Sequence, residues 1–448
     1  MERTRRIWIL QIGLTICAAI VFYAVIIRFE AIYTLSASPH LIGLMLAILF
    51  LTAGLIVTMQ TMPDEHTPRT LDRFVTLAFA LVMIAGLMAV RGALLYFQSG
   101  DYVNHLSPWL ADLRALSVWQ GLGINVGNYN MPYMYILLGI SRIDFPGIFL
   151  IKFVSIFFDI ILAYFVMKLV ELRTDSVNLR LAAFIGGLAI PTVILNSAMW
   201  AQSDSVYAAF AIGALYYAIA GKSKRGYLFM GLAFSFKMQA IFVLPMFFVF
   251  ALKNKIRLKD VWIFPVTFLA TLLPAVVAGM PIPEALSAYL GQFDYYDRLN
   301  MNAISIWRLV GWVNQVHFIT AALFLAGTAT VALLYFIYIH RDRITKTADY
   351  VYIAYLFAAI LPFLLPKMHD RFLFMADVLS LLVFAYNKKR WFVPLVTIYA
   401  SYNSYVWFLM GQVTLIDYVY VSLALGVVIL LVLKDLVEQL YSKKEVYG

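Results

Sequence analysis

Runs of about twenty apolar residues recur along this chain and constrain its fold more than any other feature. The first run, IWILQIGLTICAAIVFYAVII at residues 7 to 27, is long enough to cross the roughly 30 Å hydrocarbon core of a bilayer as a helix. Hydrophobic residues make up 63% of the chain and charged residues only 13%, far from the composition of soluble domains. The sequence therefore predicts an all-α, polytopic membrane protein, with residues 1 to 448 forming a single transmembrane domain.

The N-terminal segment predicts a retained anchor. MERTRR could begin a signal peptide, but the apolar run that follows is too long for an h-region and lacks a small-residue cleavage site. The single cysteine, Cys17, lies in this run, which excludes a disulfide framework and a cysteine-based metal site.

The positive charges indicate topology rather than a nucleic-acid partner. The net charge is +10, but the 34 Lys and Arg residues lie mostly in short clusters between apolar runs, not on one surface. The positive-inside rule places these clusters in the cytoplasm. We therefore expect about fourteen helices in a plasma membrane, with both termini cytoplasmic. The clusters are residues 3 to 6, 69 to 73, 168 to 180, 222 to 225, 253 to 259, 341 to 346, 388 to 390 and the tail from Lys434.

The segment from 226 to 252 tests this topology, because it is long for one crossing and short for two. A single crossing would place a basic loop outside. A pair of short helices that turns near Lys237 would keep both flanking loops inside, with the turn shielded by protein or facing a watery cavity. We prefer the pair.

The opposite, outer face then carries three polar segments, residues 96 to 147, 280 to 311 and 366 to 371. The first is too long for a simple connector, and loops of such length are usually functional or disordered. Its sequence NHLSPWLADLRALSVW can form an amphipathic helix on the membrane surface, and MPYMYILLGI is too short to span. We expect interfacial helices in this loop.

Asp101 stands at the outer end of a predicted membrane helix, and Arg91 lies ten residues earlier in the same apolar run. A charge there costs about 2.5 to 3.5 kcal/mol on insertion scales, so Arg91 should face a protein interior or cavity. It could neutralise a nearby acid or meet a phosphate. Taken alone, Asp101 is typical of a solvated aspartate or of one that caps a helix.

Other polar residues recur at the same outer level, and each alone could be a loop charge or an aromatic-belt residue. Together they place an acid beside several cations, which suits a reaction in which a base deprotonates an acceptor and a phosphate departs. These residues are Trp200, Gln202, Asp204, Lys237, Asn302, Trp307, Arg308, Lys367, His369 and Arg371.

Six motifs resemble, in order, those of the C-type (GT-C) glycosyltransferase superfamily, and are closest to its bacterial branch similar to glycosylphosphatidylinositol mannosyltransferases. They are SGDY with PWL, NYNMPYMYILL, NSAMWAQSDSVY, GLAFSFKMQAIFVLP, NAISIW and LPKMHDRFLFMADVLSLL, and they cover about residues 96 to 385. The resemblance implies a membrane enzyme that moves a sugar from a polyprenyl-phosphate donor to an acceptor on the outer face.

By this resemblance, Asp101 matches the catalytic acid of the first loop, and residues 369 to 371 (HDR) match a His-Glu-Arg motif near the donor phosphate, with Asp370 in the middle. WAQSD departs from the more familiar Trp-Gly-Gln pattern through Ala201, and Met131 stands where a second proline is common.

The implied mechanism is an inverting displacement by a hexosyltransferase. Asp101 takes the acceptor hydroxyl proton, and polyprenyl phosphate leaves without needing an acid because Arg and Lys stabilise its anion. The assignments for the donor phosphate are Lys237, His369, Arg371 and Arg91. Those for acceptor and sugar are His105, Trp109, Trp200, Gln202, Asp204, Asn302 and Trp307.

The alternative is that Asp101 and Asp204 hold a divalent cation, Mg²⁺ or Mn²⁺, because paired carboxylates suit such ions. The expected donor lipid is undecaprenyl phosphate, the acceptor a glycan, lipid or cell-wall polymer, and the surroundings membrane lipids. The rival hypotheses are a polysaccharide polymerase, a lipid-linked sugar flippase and a transporter. A transporter would be favoured by inverted repeats, and the sequence shows none.

Overall fold

The computed structural model describes residues 70 to 291, 298 to 310, 316 to 411 and 416 to 442. The structure is 79% helical. Cys17 and the predicted anchor lie outside the described residues. Within the described ranges the α-helices are α1 Thr70–Leu94, α2 Ser107–Ala115, α3 Val118–Leu122, α4 Met131–Ser141, α5 Gly147–Glu171, α6 Val177–Ala189, α7 Pro191–Ile194, α8 Asp204–Ile219, α9 Ser223–Phe236, α10 Pro245–Leu252, α11 Ile263–Val277, α12 Ile282–Leu290, α13 Val316–Ile339, α14 Thr347–Leu364, α15 Phe374–Tyr386, α16 Phe392–Met410 and α17 Tyr418–Ser442.

Six helices in the described ranges are long and apolar enough to cross a membrane, or seven if the broken pair Val177–Ala189 and Pro191–Met199 counts as one span. This fits the predicted all-α membrane protein. Several other apolar helices, such as α4, α8 and α15, have only 10 to 17 residues. The count of about fourteen helices stays a prediction, because residues 1 to 69 lie outside the described part.

The segment around Lys237 forms the predicted pair of short helices. Helix α9 ends at Phe236, Lys237 is extended with φ −154° and ψ 132°, and a 3₁₀ helix begins at Met238 and leads into α10. The backbone N–H of Arg257 donates to Ser223 Oγ at 2.9 Å, so the chain returns after α10 to the level where α9 began. The two loops flanking the pair therefore lie on one side, as predicted.

The long polar segment folds into helices that pack on one another. After a π-helical turn at Tyr102–Leu106, helix α2 buries Leu110 and Leu113 in one cluster with Met134 and Leu137 of α4. The predicted helices are confirmed, and their position at a membrane surface stays a prediction.

The other two polar segments meet through a short parallel β pair, β1 Asn300–Met301 and β2 Met368–His369. The Lys367 N–H donates to the Leu299 carbonyl at 2.8 Å, and a further bridge joins Asn302 to His369. The contact fixes the loop before α15 against a loop distant in sequence.

Arg91 serves the first of its two predicted alternatives, neutralisation of an acid. Its Nε donates to Asp159 Oδ2 at 2.9 Å and its Nη2 to the Leu188 carbonyl at 2.8 Å, and Arg91 and Asp159 are both buried. Ser197 and Ser205 also donate to Asp159. This network uses the guanidinium between helices, which corrects the assignment of Arg91 to the donor phosphate.

Candidate active site

Asp101 is the centre of a polar cluster drawn from distant parts of the chain. Its Oδ2 accepts hydrogen bonds from Trp200 Nε1 at 2.8 Å, from Gln202 Nε2, and from Arg371 Nη1 at 3.1 Å. The side chain is 22% exposed, and Oδ1 accepts no hydrogen bond from the described residues. One oxygen is therefore held by three donors, while the other stays open to a ligand.

Asp204, the first residue of α8, forms the inner part of the cluster. Its Oδ1 receives Lys237 Nζ at 2.6 Å and its Oδ2 receives Asn196 Nδ2 at 2.7 Å. Arg371 Nε lies 3.7 Å from the same Oδ2. Because Asp204 is only 2% exposed and Lys237 11%, this ion pair is largely withdrawn from water. It anchors the turn between α9 and α10 beside Asp101.

An unusual backbone path presents the two side chains that bond Asp101. The chain passes through a π-helix at Leu195–Met199, and then Ala201 adopts a left-handed conformation with φ 65°. This reversal lets both Trp200 and Gln202 reach one carboxylate oxygen. Non-glycine residues rarely adopt this conformation, and such strain tends to collect at functional sites.

Two further residues with a left-handed backbone adjoin the β pair near Arg371, one just before β2 and one just after β1. Lys367 has φ 60° and Asn302 has φ 67°, one on each side of the β pair. Arg371 lies two residues after the end of β2, and its Cζ lies 5.1 Å from the centre of the Trp200 ring. The β pair thus directs the guanidinium towards Asp101. Its Nη2 donates to none of the described residues.

Burial shifts the pKa values of His369 and Asp370 in the HDR motif in opposite directions. Burial, together with the positive charge of Arg371, lowers the pKa of His369 to about 3, so this ring is neutral at physiological pH. Burial raises the pKa of Asp370 to about 7, and Arg371 opposes the shift. His369 can therefore offer a ring N–H to a phosphate, but not a positive charge.

A row of aromatic rings leads from the long polar segment to the cluster. Ring centres lie 5.7 Å apart for His105 and Trp109, 5.4 Å for Trp109 and Tyr129, and 5.2 Å for Tyr129 and Tyr133. The Tyr129 hydroxyl donates to Gln202 Oε1 at 2.7 Å, and Lys237 Nζ lies 5.6 Å from its ring centre. His105 and Trp109 are therefore connected to the cluster, as their assignment requires.

Three residues assigned to sugar binding are instead enclosed by protein. Trp200, Gln202 and Asp204 are all buried. Trp200 stacks on Phe408 with ring centres 4.4 Å apart, so both ring faces are occupied, one by Phe408 and one by the Arg371 guanidinium. In this structure Trp200 and Gln202 bond the Asp101 carboxylate and Asp204 pairs with Lys237, and their assignment to sugar binding stays a prediction.

The second polar loop contributes less than predicted. Trp307 is 8% exposed, and its Nε1 donates to the Leu364 carbonyl at the end of α14, so its assignment to the sugar stays a prediction. Asn302 accepts a hydrogen bond from Arg308 Nη2 at 3.3 Å and bridges to His369, so it supports the HDR loop.

The pair of carboxylates is poorly suited to a metal ion. Arg371 interacts with both Asp101 and Asp204, and Lys237 and Asn196 bind the remaining Asp204 positions. Among the described residues, no group of three or more His, Cys, Asp or Glu side chains could hold an ion. The position that a shared Mg²⁺ or Mn²⁺ would take is filled by a guanidinium, so these residues do not fit the alternative of a metal site.

Four residues of this site were not singled out from the sequence. Tyr129 and Asn196 bond Gln202 and Asp204, Ser99 Oγ donates to the Trp200 carbonyl at 2.7 Å, and Lys152 donates to the carbonyls of Leu94, Leu95 and Phe97. The Lys152 ammonium caps the end of α1 just before Asp101. A lysine inside an apolar run is the one signal that could have revealed it.

Fold and site together define an all-α membrane protein with a buried, charged cluster at one end of its helices. Comparison with protein-family models, curated proteins and solved structures finds no match to this chain.

Proposed function

We propose that this protein is a membrane glycosyltransferase of the GT-C type, which moves a hexose from a polyprenyl-phosphate donor to an acceptor by inverting displacement. The site would face the outer side of the plasma membrane, and undecaprenyl phosphate would be the carrier lipid. The observation that carries the proposal is the Asp101 carboxylate, which has one oxygen fixed by three donors and the other open.

This arrangement suits a general base. A base must approach the proton it removes within hydrogen-bond distance, and a carboxylate held in place keeps its open oxygen in one direction. Oδ1 would accept the proton of the acceptor hydroxyl while the acceptor oxygen attacks the anomeric carbon. The bond from that carbon to the phosphate oxygen breaks in the same step, which inverts the anomeric configuration.

Arg371 and Lys237 would bind the phosphate that leaves. Arg371 has donors to spare at Nη2, and guanidinium contacts to phosphate are charge-assisted and directional. Lys237 lies next to Tyr129 and pairs with Asp204. A bound phosphate would share the Lys237 ammonium with the Asp204 carboxylate. The departing phosphate is stable as an anion, so no group is needed to protonate it.

The aromatic row provides a surface for the sugar or the acceptor. His105 is exposed and Trp109 half-buried, and both lie on the same side of the cluster as Tyr129. Aromatic faces present apolar area to the C–H face of a sugar, and polar groups at their edges fix orientation.

The test is sugar transfer by the purified protein in liposomes that contain labelled undecaprenyl-phosphate hexoses, with nucleotide sugars as the comparison. We expect release of undecaprenyl phosphate coupled to product formation, and no use of nucleotide sugars. Movement of intact lipid-linked sugar across the bilayer would indicate a flippase. Extension of a polymer from lipid-diphosphate oligosaccharides would indicate a polymerase, and either result would contradict the proposal.

A further inference from the structure

A polar cavity of about 410 Å³ lies at the opposite end of the helices from the Asp101 cluster. Helix α5 connects the two places, since Lys152 near its start caps the segment before Asp101 and Arg173 follows its end. Its 25 residues span about 37 Å. Helix α15 likewise starts beside the HDR motif and ends at the cavity with Tyr386.

Two basic side chains stand at this cavity, Arg173 and Lys346. Arg173 is exposed at this cavity; its Nη1 donates to the Ala385 carbonyl and its Cζ lies 5.6 Å from the centre of the Tyr386 ring. Lys388 and Arg173 together line a smaller adjoining cavity. The basic residues come from clusters that the charge distribution predicts to be cytoplasmic.

Neutral hydrogen-bonding groups line the rest of the cavity, from Thr347, Tyr352, Asn387 and Gln439. The one acid in the lining, Asp349, turns towards the backbone, where its Oδ2 accepts from the N–H groups of Thr345 and Lys346 at 2.9 and 2.8 Å. The cavity therefore combines a net positive charge with several neutral polar groups.

We propose that this cavity binds the phosphate of an anionic phospholipid headgroup from the leaflet at that face. Basic pockets between the cytoplasmic ends of membrane helices suit such headgroups, and Arg173 can bond phosphate oxygens as a fork. A lipid is favoured over free phosphate because large apolar side chains are exposed four positions after Arg173 and two positions after Gln439. Val177 is 52% exposed and Tyr441 60%, which offers apolar surface to an acyl chain.

The test measures binding of dioleoylphosphatidylglycerol to the purified full-length protein by native mass spectrometry, with dioleoylphosphatidylcholine and sodium phosphate as comparison probes. The Arg173→Gln/Lys346→Gln variant should bind phosphatidylglycerol at least tenfold more weakly. The matched control is Lys222→Gln/Lys224→Gln, which removes the same charge from exposed residues outside the cavity and should stay within twofold of wild type.

Equal loss in the control, or no loss in the cavity variant, would overturn the proposal. Displacement of the lipid by sodium phosphate at equal concentration would assign the cavity to free phosphate and overturn the proposal of a lipid ligand. A second measurement keeps the two charges intact: a photoreactive benzoylphenylalanine at Gln439 should crosslink phosphatidylglycerol, and one at Lys224 should not. Failure to crosslink at Gln439 would also overturn the proposal.

Discussion

Arg371 Nη1 donates to Asp101 Oδ2 at 3.1 Å, although the two residues lie 270 positions apart in the chain. The same guanidinium lies 3.7 Å, through Nε, from Asp204. Arg371 therefore ties the loop before α15 to the start of the long polar segment and to the start of α8. In the proposed reaction, the proposed base and a proposed phosphate ligand are direct neighbours.

This contact predicts that lysine cannot replace Arg371. Arg371→Lys keeps the charge but cannot reach both carboxylates and a phosphate with a planar fork. Loss of one charge-assisted bond of about 1.5 to 3 kcal/mol should lower transfer by about 10-fold to 150-fold. Steady-state transfer kinetics would measure it. Arg257→Lys, whose guanidinium pairs with Asp260 at 3.0 Å away from the site, is the matched control and should be much less affected.

The left-handed backbone of Ala201 predicts that substitution by glycine is tolerated and substitution by valine is not. Glycine adopts a left-handed backbone without strain, whereas a β-branched residue strongly avoids it. Ala201→Gly should retain activity and unfold within about 1 kcal/mol of wild type, since relief of strain offsets the added chain entropy. Ala201→Val should lower the unfolding temperature and reduce transfer, because Ala201 is also buried. Equal behaviour of the two variants in thermal unfolding would show that the conformation at Ala201 does not matter.

Asp370 predicts a pH dependence of stability. Its folded pKa of about 7 is raised by burial above the usual 3.8, so the folded state binds a proton more tightly than the unfolded state. The stabilising contribution is complete below about pH 4 and is lost as pH rises through 7. Wild type should therefore lose on the order of a few degrees of unfolding temperature between pH 5 and 8 that Asp370→Asn does not lose. Parallel curves for the two proteins would contradict the shift.

The folding of residues 226 to 252 as a hairpin predicts which loops share one side. A cysteine at Lys224 should be shielded from an impermeant thiol reagent in intact cells, while a cysteine at Asn104 should react. Both positions are exposed, so accessibility within the protein does not differ. Cys17 is first replaced by serine so that only the introduced thiols are measured. Labelling of the cysteine at position 224 would contradict the predicted cytoplasmic location of this loop.

Sequence patterns could predict the site only in part. Asp101, Lys237, His369 and Arg371 stood out because charges at the ends of apolar runs are rare. The sequence places Trp200 and Gln202 near the site but does not show that both bond Asp101, since no local pattern shows that Ala201 reverses the backbone. Hydropathy also could not show how charges pair inside the bundle.

Arg91 illustrates this second limit. Its partner Asp159 lies 68 positions away on another apolar helix, and only packing of the two helices reveals the pair. The break at Lys237 was predictable because length alone argued against one crossing. The β pair of Asn300–Met301 with Met368–His369 was not, since two residues carry no periodicity.

The most direct test of the proposed mechanism is Asp101→Asn, measured as sugar transfer from purified undecaprenyl-phosphate hexose with and without chelator. Asparagine keeps the shape but cannot accept the proton, so transfer should fall by about 100-fold to 10,000-fold while donor binding and protein yield stay near wild type. Asp112→Asn, an exposed acid on α2, is the control and should remain active. Chelator should leave wild-type activity unchanged, because Arg371 occupies the space between the carboxylates. Full activity of Asp101→Asn would contradict the account.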